Sequence, residues 1–231
     1  MSAYVILDSA LTAPPLALSE RLKTHLGRKL AMALGLNAFA LLPYYLLQHY
    51  PSFPVTVMPL TALDEWIPFN DGAVWLYLSV FLLMPIAPMQ MTGRDQLRRH
   101  TIGIIGMSLL ADLIFFLWPT AVLRPNIETT TTAYQHLTQL VSSNNACPSL
   151  HAAVAVFSAL CYEQIARHMR APQLWRAGLW IWALGVVYAT LATKEHVGLD
   201  AVSGGLLGLI AYLWAFRFRS LAMQNFRKRR Y

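Results

Sequence analysis

Long apolar runs recur along this chain, each about as long as a bilayer is thick. A helical crossing needs roughly 20 mostly apolar residues, and six segments of that kind can be drawn. Lipid offers the backbone no hydrogen-bond partner, and the runs are too long and too little alternating for barrel strands, so they must be helices. The pattern predicts an all-α, polytopic membrane protein with six transmembrane helices. The predicted spans are residues 30–48, 72–91, 101–118, 150–166, 174–192 and 200–216.

Composition indicates the same class of protein. Apolar residues make up 56% of the chain and charged residues only 13%, whereas a soluble domain carries about 25% charged residues. We divide the chain into a cytoplasmic N-terminal segment, residues 1–28, a six-helix membrane domain, residues 29–217, and a basic cytoplasmic tail, residues 218–231. Leucines on one face of LSERLKTHLGRKL fit a helix lying on the membrane surface. They fit a plain cytosolic extension of the first span equally well.

The net charge of +7 would suggest nucleic acid in a soluble protein, but its distribution indicates topology instead. With six spans drawn, sixteen of the eighteen Lys and Arg residues fall on one side. The positive-inside rule makes that side, and both termini, cytoplasmic. We therefore expect an integral protein of a bacterial inner (cell) membrane, in contact with lipid and not with nucleic acid. The sixteen residues are Arg21, Lys23, Arg28, Lys29, Arg94, Arg98, Arg99, Arg167, Arg170, Arg176, Arg217, Arg219, Arg227, Lys228, Arg229 and Arg230.

The two remaining cations, Arg124 and Lys194, lie in two polar loops on the opposite side. The longer loop, 119–149, contains apolar residues at helical spacing, which predicts a short interfacial helix between spans three and four. At its end, Ser149 and His151 begin span four, where free N–H groups and the positive helix end attract anions. Ser149 can cap that helix and also donate to a phosphate oxygen.

The second polar loop contains KEHVGLD, with His196 and Asp200 four residues apart. That spacing would place both on one helix face, where a carboxylate can hold an imidazole N–H. An acid orients the histidine of a catalytic triad in this way. Each feature alone is more often structural, but their shared side with His151 and Arg124 favours a single site. For Asp112, inside span three, we expect a structural hydrogen bond to another helix.

Together these residues resemble the type 2 phosphatidic acid phosphatase superfamily, whose motifs are roughly KxxxxxxRP, PSGH and SRxxxxxHxxxD. The matching positions are Arg124-Pro125, PSLH at 148–151 and HxxxD at 196–200, and the resemblance covers about residues 70–216. It implies a six-helix membrane enzyme that cleaves lipid phosphate esters through a phosphohistidine, without a cofactor or metal.

The chain departs from these motifs in places. Leu117 stands where the first motif has lysine, Leu150 replaces the glycine of the second, and Ala189-Thr190 replaces Ser-Arg in the third. The SLH and TKxHxxxD forms look closer to the inositol phosphorylceramide synthase-like branch, which transfers a phosphorylated head group to a lipid alcohol. The sequence therefore leaves open whether water or an alcohol accepts the phosphoryl group.

The resemblance also implies a role for each site residue. His196 would be the nucleophile, Asp200 its orienter, and His151 the general acid on the leaving oxygen. Positive and hydroxyl groups would bind the phosphoryl oxygens, namely Arg124, Lys194 and Ser149. Two other functions stay open from the residues alone. Two histidines and an aspartate could form a metal-dependent hydrolase site, and a small six-helix transporter is the less favoured alternative.

Overall fold

The structure is a computed structural model that describes residues 17–125 and 129–218 of the chain. Residues 1–16 of the predicted N-terminal segment and residues 219–231 of the predicted tail lie outside the described residues. The described chain is mostly helical, with two very short strands. Its elements are α1 (Leu18–Lys23), α2 (Leu26–His49), β1 (Thr56–Val57), α3 (Ala62–Trp66), a 3₁₀ turn (Asp71–Ala73), α4 (Val74–Leu78), α5 (Val80–Leu83), α6 (Ile86–Gln90), α7 (Arg94–Leu117), β2 (Thr120–Ala121), α8 (Thr132–Leu140), α9 (Leu150–His168), α10 (Gln173–Ala192), α11 (Gly198–Tyr212) and a closing π-helix (Leu213–Phe218).

Five described helical stretches are long and apolar enough to cross a membrane, compared with the six spans predicted. The predicted span that is missing from these five is the fourth, residues 150–166, which corresponds to α9, whose last turns carry Glu163 and Arg167. These residues lower its mean hydropathy. Helix α9 packs mainly against α11 and α10, and a helix screened by neighbours can be less apolar than one that faces lipid. The five stretches are Leu26–His49, Asp71–Gln90, Arg94–Leu117, Gln173–Ala192 and Gly198–Phe216.

Helices α9 and α11 approach each other closely because glycines of α11 face the backbone of α9. A Cβ added at Gly204 would stand 2.2 Å from the Ser149 carbonyl oxygen, and one at Gly208 would stand 2.3 Å from the Ala153 carbonyl oxygen. Small residues four apart allow such contact between membrane helices. The contact joins the beginnings of the two helices, where the candidate site residues lie.

The two ends of the helix bundle carry different groups. At one end, Arg21, Gln96 and His168 line a common pocket, so the basic connections of the chain meet there. At the other end, Thr56 of β1 pairs with Thr120 of β2 in a short parallel ladder. The polar loops that contain the candidate site lie at this second end.

A short helix is present where one was predicted in the loop between the third and fourth spans. This helix, α8, buries Tyr134 and Leu137 against the start of the Asp71–Gln90 stretch. Its location at a membrane interface stays a prediction.

The hydrogen bond predicted for Asp112 is wrong for the described part of the structure. Both carboxylate oxygens of Asp112 are buried, and neither has a hydrogen-bond partner among the described residues. The sequence shows that a polar group lies inside an apolar helix, but it does not show what faces that group.

Candidate active site

His196 lies in the turn before α11 and not on the helix. Because α11 begins at Gly198, the prediction that His196 and Asp200 share a helix face is wrong. They meet because the Asp200 side chain turns back over the helix start, where its Oδ2 accepts the Val197 N–H at 3.0 Å. The same Oδ2 stands 3.6 Å from His196 Nδ1. This distance exceeds a hydrogen bond, but it allows an ion pair once the imidazole is protonated.

His151 faces His196 from the first turn of α9. The centroids of the two rings are 6.2 Å apart. Tyr77 stacks on the His151 ring with centroids 4.0 Å apart, which fixes the plane of that ring. His151 Nε2 is buried and has no hydrogen-bond partner among the described residues. The two imidazoles can therefore act on opposite sides of one group placed between them.

Ser149 caps α9, as its place in the sequence predicts. Its Oγ accepts the Ala152 N–H at 3.3 Å, and its own N–H donates to the Asp200 carbonyl oxygen at 3.0 Å. The second bond ties the start of α9 to the start of α11. Ser149 is fully buried, and its hydroxyl hydrogen is still free to serve as a donor while Oγ accepts.

Arg124 reaches the site and forms an ion pair there with Glu195. Its Nη2 lies 2.6 Å from Glu195 Oε2 and also donates to the Val141 carbonyl oxygen at 2.8 Å. Arg124 Nε is buried without an acceptor among the described residues. The guanidinium is thus held in place on one edge, with a donor unsatisfied on another.

Glu195 is a site residue that the sequence analysis missed. Its side chain is only 4% exposed, and burial raises the pKa of this carboxyl above its ordinary value, although the charge of Arg124 acts in the opposite direction. Glu195 Oε1 has no partner among the described residues. Its position directly before His196 is the one signal in the sequence that could have found it.

Lys194 makes two backbone contacts that the resemblance does not imply. Its ammonium donates to the carbonyl oxygens of Asp64 at 2.7 Å and Ile67 at 2.6 Å. An ammonium group has three donors, so one is left for a phosphoryl oxygen. Lys194 therefore fastens the loop of residues 193–197, which carries His196, to the segment that contains α3.

Asp64 is a second residue that the sequence analysis missed. Its Oδ1 accepts the buried Gly198 N–H at 2.8 Å, and its Oδ2 accepts the Thr61 N–H at 2.8 Å and the Thr61 hydroxyl at 2.7 Å. This one carboxylate, which is buried, joins the start of α3 to the start of α11. The signal in the sequence is Thr61-x-x-Asp64, a capping-box pattern that shows a helix start but not a distant partner.

Tyr134 of α8 supports the same loop from another direction. Its hydroxyl donates to the Thr193 carbonyl oxygen at 2.9 Å, and burial raises the pKa of Tyr134 to about 12. The hydroxyl therefore keeps its proton, and with it the hydrogen bond, across the physiological pH range.

The described part of the chain contains no set of side chains that could hold a metal ion. No three or more His, Cys, Asp and Glu side chains there are grouped so that they could hold an ion. Cations lie near His196 instead. Lys194 stands two residues before it in the sequence, and Arg124 is ion-paired with the adjacent Glu195.

A family model, described as the PAP2 superfamily, matches residues 101–224. The chain belongs to the PAP2 superfamily. The matched region contains every site residue predicted from the sequence, whereas Asp64 and Tyr77 precede it. The superfamily generally contains phosphatases and phosphotransferases, and the long apolar helices of this member are consistent with a membrane enzyme of that type. No curated protein and no solved structure matches the chain significantly.

Proposed function

We propose that this PAP2 superfamily member is an integral membrane enzyme that cleaves a lipid phosphate ester through a phosphohistidine on His196. One observation carries most of the support: the His151 and His196 rings lie 6.2 Å apart, measured between centroids, and the Asp200 carboxylate lies 3.6 Å from His196 Nδ1. Phosphoryl transfer needs an in-line nucleophile on one side of phosphorus and a proton source for the leaving oxygen on the other. Two facing imidazoles can provide both.

In the first step, His196 Nε2 attacks phosphorus. The N–P bond forms, the bond from phosphorus to the lipid oxygen breaks, and His151 gives a proton to that oxygen. In the second step, water or an alcohol attacks phosphorus, His151 takes a proton from it, and His196 is released. Asp200 stabilises the positive charge on the His196 ring during both steps. Water as acceptor makes the enzyme a phosphatase, and an alcohol makes it a head-group transferase like the inositol phosphorylceramide synthase branch.

The phosphoryl oxygens are bound by side chains that each have an N–H or O–H group not used in another hydrogen bond. Arg124 Nε has no acceptor among the described residues, Lys194 has one N–H beyond its two carbonyl contacts, and the Ser149 hydroxyl hydrogen is free while Oγ caps α9. Charge-assisted hydrogen bonds of this kind suit the oxygens of a phosphate. The scheme uses no metal and no cofactor.

We further propose six spans, with α9 as the fourth, and an active site on the non-cytoplasmic face of a bacterial inner membrane. The clustering of basic residues at the opposite end of the bundle supports this orientation. In a variant without Cys147 and Cys161, a cysteine in place of Thr130 should react with an impermeant maleimide on intact cells. A cysteine in place of Arg98 should react only after permeabilisation, and the reverse pattern would refute the orientation.

The activity is tested with purified protein in nanodiscs, incubated with a panel of lipid phosphates and head-group donors. Mass spectrometry then separates free phosphate, the product of a phosphatase, from a new phosphodiester lipid, the product of a transferase. We expect turnover that resists EDTA, is inhibited by vanadate and is absent from His196→Ala. Turnover that is lost in EDTA and restored by added metal would contradict the proposal.

A further inference from the structure

Glu195 holds one edge of the guanidinium that the proposed function assigns to the substrate. Its Oε2 lies 2.6 Å from Arg124 Nη2, and its side chain is only 4% exposed. The second carboxylate oxygen, Oε1, is buried and has no hydrogen-bond partner among the described residues. Glu195 directly precedes His196 in the chain, so a phosphoryl group on His196 and this carboxylate would have to share Arg124.

Carboxylates outnumber cations in the loops around His196. In their ordinary ionised forms, and with the histidines neutral, the described side chains there carry one negative charge in excess. A ligand with two negative charges is therefore repelled more strongly than a ligand with one. The groups counted are the cations Arg124 and Lys194 and the carboxylates of Glu195, Asp200 and Asp64.

Arg124 is the one permanent positive charge that acts on Glu195 among the described residues. Burial has a larger influence than this charge and raises the pKa of the Glu195 carboxyl. A phosphoryl group that draws on the charge of Arg124 weakens the main interaction that opposes burial, so protonation of Glu195 becomes easier when a ligand binds. The other titratable groups around Glu195 are three tyrosines and two histidines, namely Tyr44 of α2, Tyr77 of α4, Tyr134 of α8, His151 of α9 and His196 of its own loop.

We propose that Glu195 selects the charge of the substrate's phosphoryl group. Ionised Glu195 leaves Arg124 able to bind a phosphoryl group with one negative charge, whereas a doubly charged group binds only as Glu195 takes up a proton. The inference rests on the proposed function, which places the phosphoryl group beside Arg124 and His196.

Charge selection of this kind separates two classes of lipid phosphate. A phosphodiester has one negative charge at neutral pH, whereas a phosphomonoester carries nearly two above its second pKa of about 6. The preferred substrate is therefore a phosphodiester lipid, with a head group on the phosphorus, and a monoester is accepted mainly at acid pH. Glu195 acts here as a specificity-determining residue, because it changes which phosphate binds and takes no part in bond cleavage.

Dodecyl phosphate and methyl dodecyl phosphate form a matched pair, because they have the same leaving alcohol and differ by one negative charge. We would measure kcat/KM for both in nanodiscs of neutral lipid at about pH 8, where the monoester is doubly charged, for wild type, Glu195→Gln and Glu65→Gln. Glu195→Gln removes the charge and keeps the shape of the side chain. Glu65→Gln removes a charge from an exposed residue of α3 and is the control.

The monoester-to-diester ratio of kcat/KM is the informative quantity, because it does not depend on the fraction of protein that is folded. We expect Glu195→Gln to raise this ratio about 10- to 100-fold, the effect of one unit charge a few Å away at an effective dielectric constant of about 20. Glu65→Gln should keep the wild-type ratio. A Glu195→Gln ratio equal to that of wild type, or an equal rise in both variants, would overturn the inference.

Proton uptake can be measured without turnover in His196→Ala, which also removes the imidazole as a proton acceptor. Binding of octyl phosphate to this variant at about pH 8 would be followed by isothermal titration calorimetry in buffers of different ionisation enthalpy, with empty nanodiscs as the blank. We expect uptake of about one proton more per bound octyl phosphate than in His196→Ala/Glu195→Gln. Equal uptake by the two proteins would contradict the role given to Glu195.

The two measurements separate this inference from the proposed function. Turnover with equal ratios and equal proton uptake would contradict charge selection by Glu195 alone. Extra proton uptake through Glu195, with no turnover of either ester by wild type, would contradict the proposed function and support the charge selection.

Discussion

Removal of the Asp64 carboxylate should loosen the loop that carries His196 without touching His196 itself. The carboxylate accepts three hydrogen bonds, one from the Gly198 N–H and two from Thr61. Asp64→Ala deletes all three. It also leaves the Gly198 N–H, which belongs to a buried residue, without an acceptor.

The expected loss in free energy of unfolding depends on which of the three donors can form a hydrogen bond to water instead. Thr61 lies in a partly exposed segment and can bond to water, so its two hydrogen bonds are replaced at little cost. The Gly198 N–H cannot, and a lost hydrogen bond to a charged group costs about 1.5–3 kcal/mol, with the unsatisfied buried donor included. We expect Asp64→Ala to lower the free energy of unfolding by about 1.5–3 kcal/mol. A shift of His196 by about 1 Å would lower kcat by about 10²-fold.

The assay combines unfolding in mixed micelles with kcat and KM for a lipid phosphate. Glu65→Ala is the matched control, because Glu65 is exposed on the same short helix. Asp64→Asn should lie between wild type and Asp64→Ala, since an amide oxygen can still accept the Gly198 N–H. If Asp64→Ala and Glu65→Ala have the same stability and the same kcat, Asp64 does not position the loop that carries His196.

Three further predictions concern other parts of the site. His151→Ala should lower kcat on an alkyl phosphate by about 10²–10⁴-fold but much less on nitrophenyl phosphate, whose leaving group needs no proton; equal losses would remove His151 as the general acid. Gly204→Ala should force the Ser149 carbonyl away and lower the free energy of unfolding by about 1–3 kcal/mol. Gly205→Ala should be nearly neutral, because its added Cβ would meet Val156 Cγ2 at 3.7 Å, an ordinary van der Waals distance. Burial raises the pKa of Glu195 above 4.5, the usual glutamate value, so the folded protein binds this proton more tightly than the unfolded chain. The Tm of wild type should therefore fall relative to that of Glu195→Gln as the pH rises from 4.5 through the folded-state pKa. A difference in Tm that stays constant with pH would contradict this.

The sequence predicted best those features that repeat or stand close together. Apolar run length predicted five helices that the structure has at the expected places, because the bilayer acts on every residue of a span alike. The capping role of Ser149 also followed from a local pattern. A helix was also predicted at 150–166, where α9 lies. That α9 spans a membrane stays a prediction, because a centrally packed helix is not required to be apolar along its full length.

Contacts between distant segments were not predictable in this way. Asp64 and Lys194 are 130 residues apart in sequence. No local pattern indicates that the Lys194 ammonium donates to the Asp64 carbonyl oxygen. Glu195 was overlooked because a glutamate beside a histidine usually faces solvent, whereas here the loop buries it against Arg124.

The sequence by itself determined the class of the protein, the approximate spans and the residue types of the site, because hydropathy and short motifs are local properties. Tertiary structure alone decided which of those side chains meet. The close packing of α9 on α11 at Gly204 brings His151 to within 6.2 Å of His196, measured between ring centroids. It also decided that Lys194 holds a loop and that Arg124 has a carboxylate partner, because the partner of a buried charge is set by how separate segments of the chain pack together.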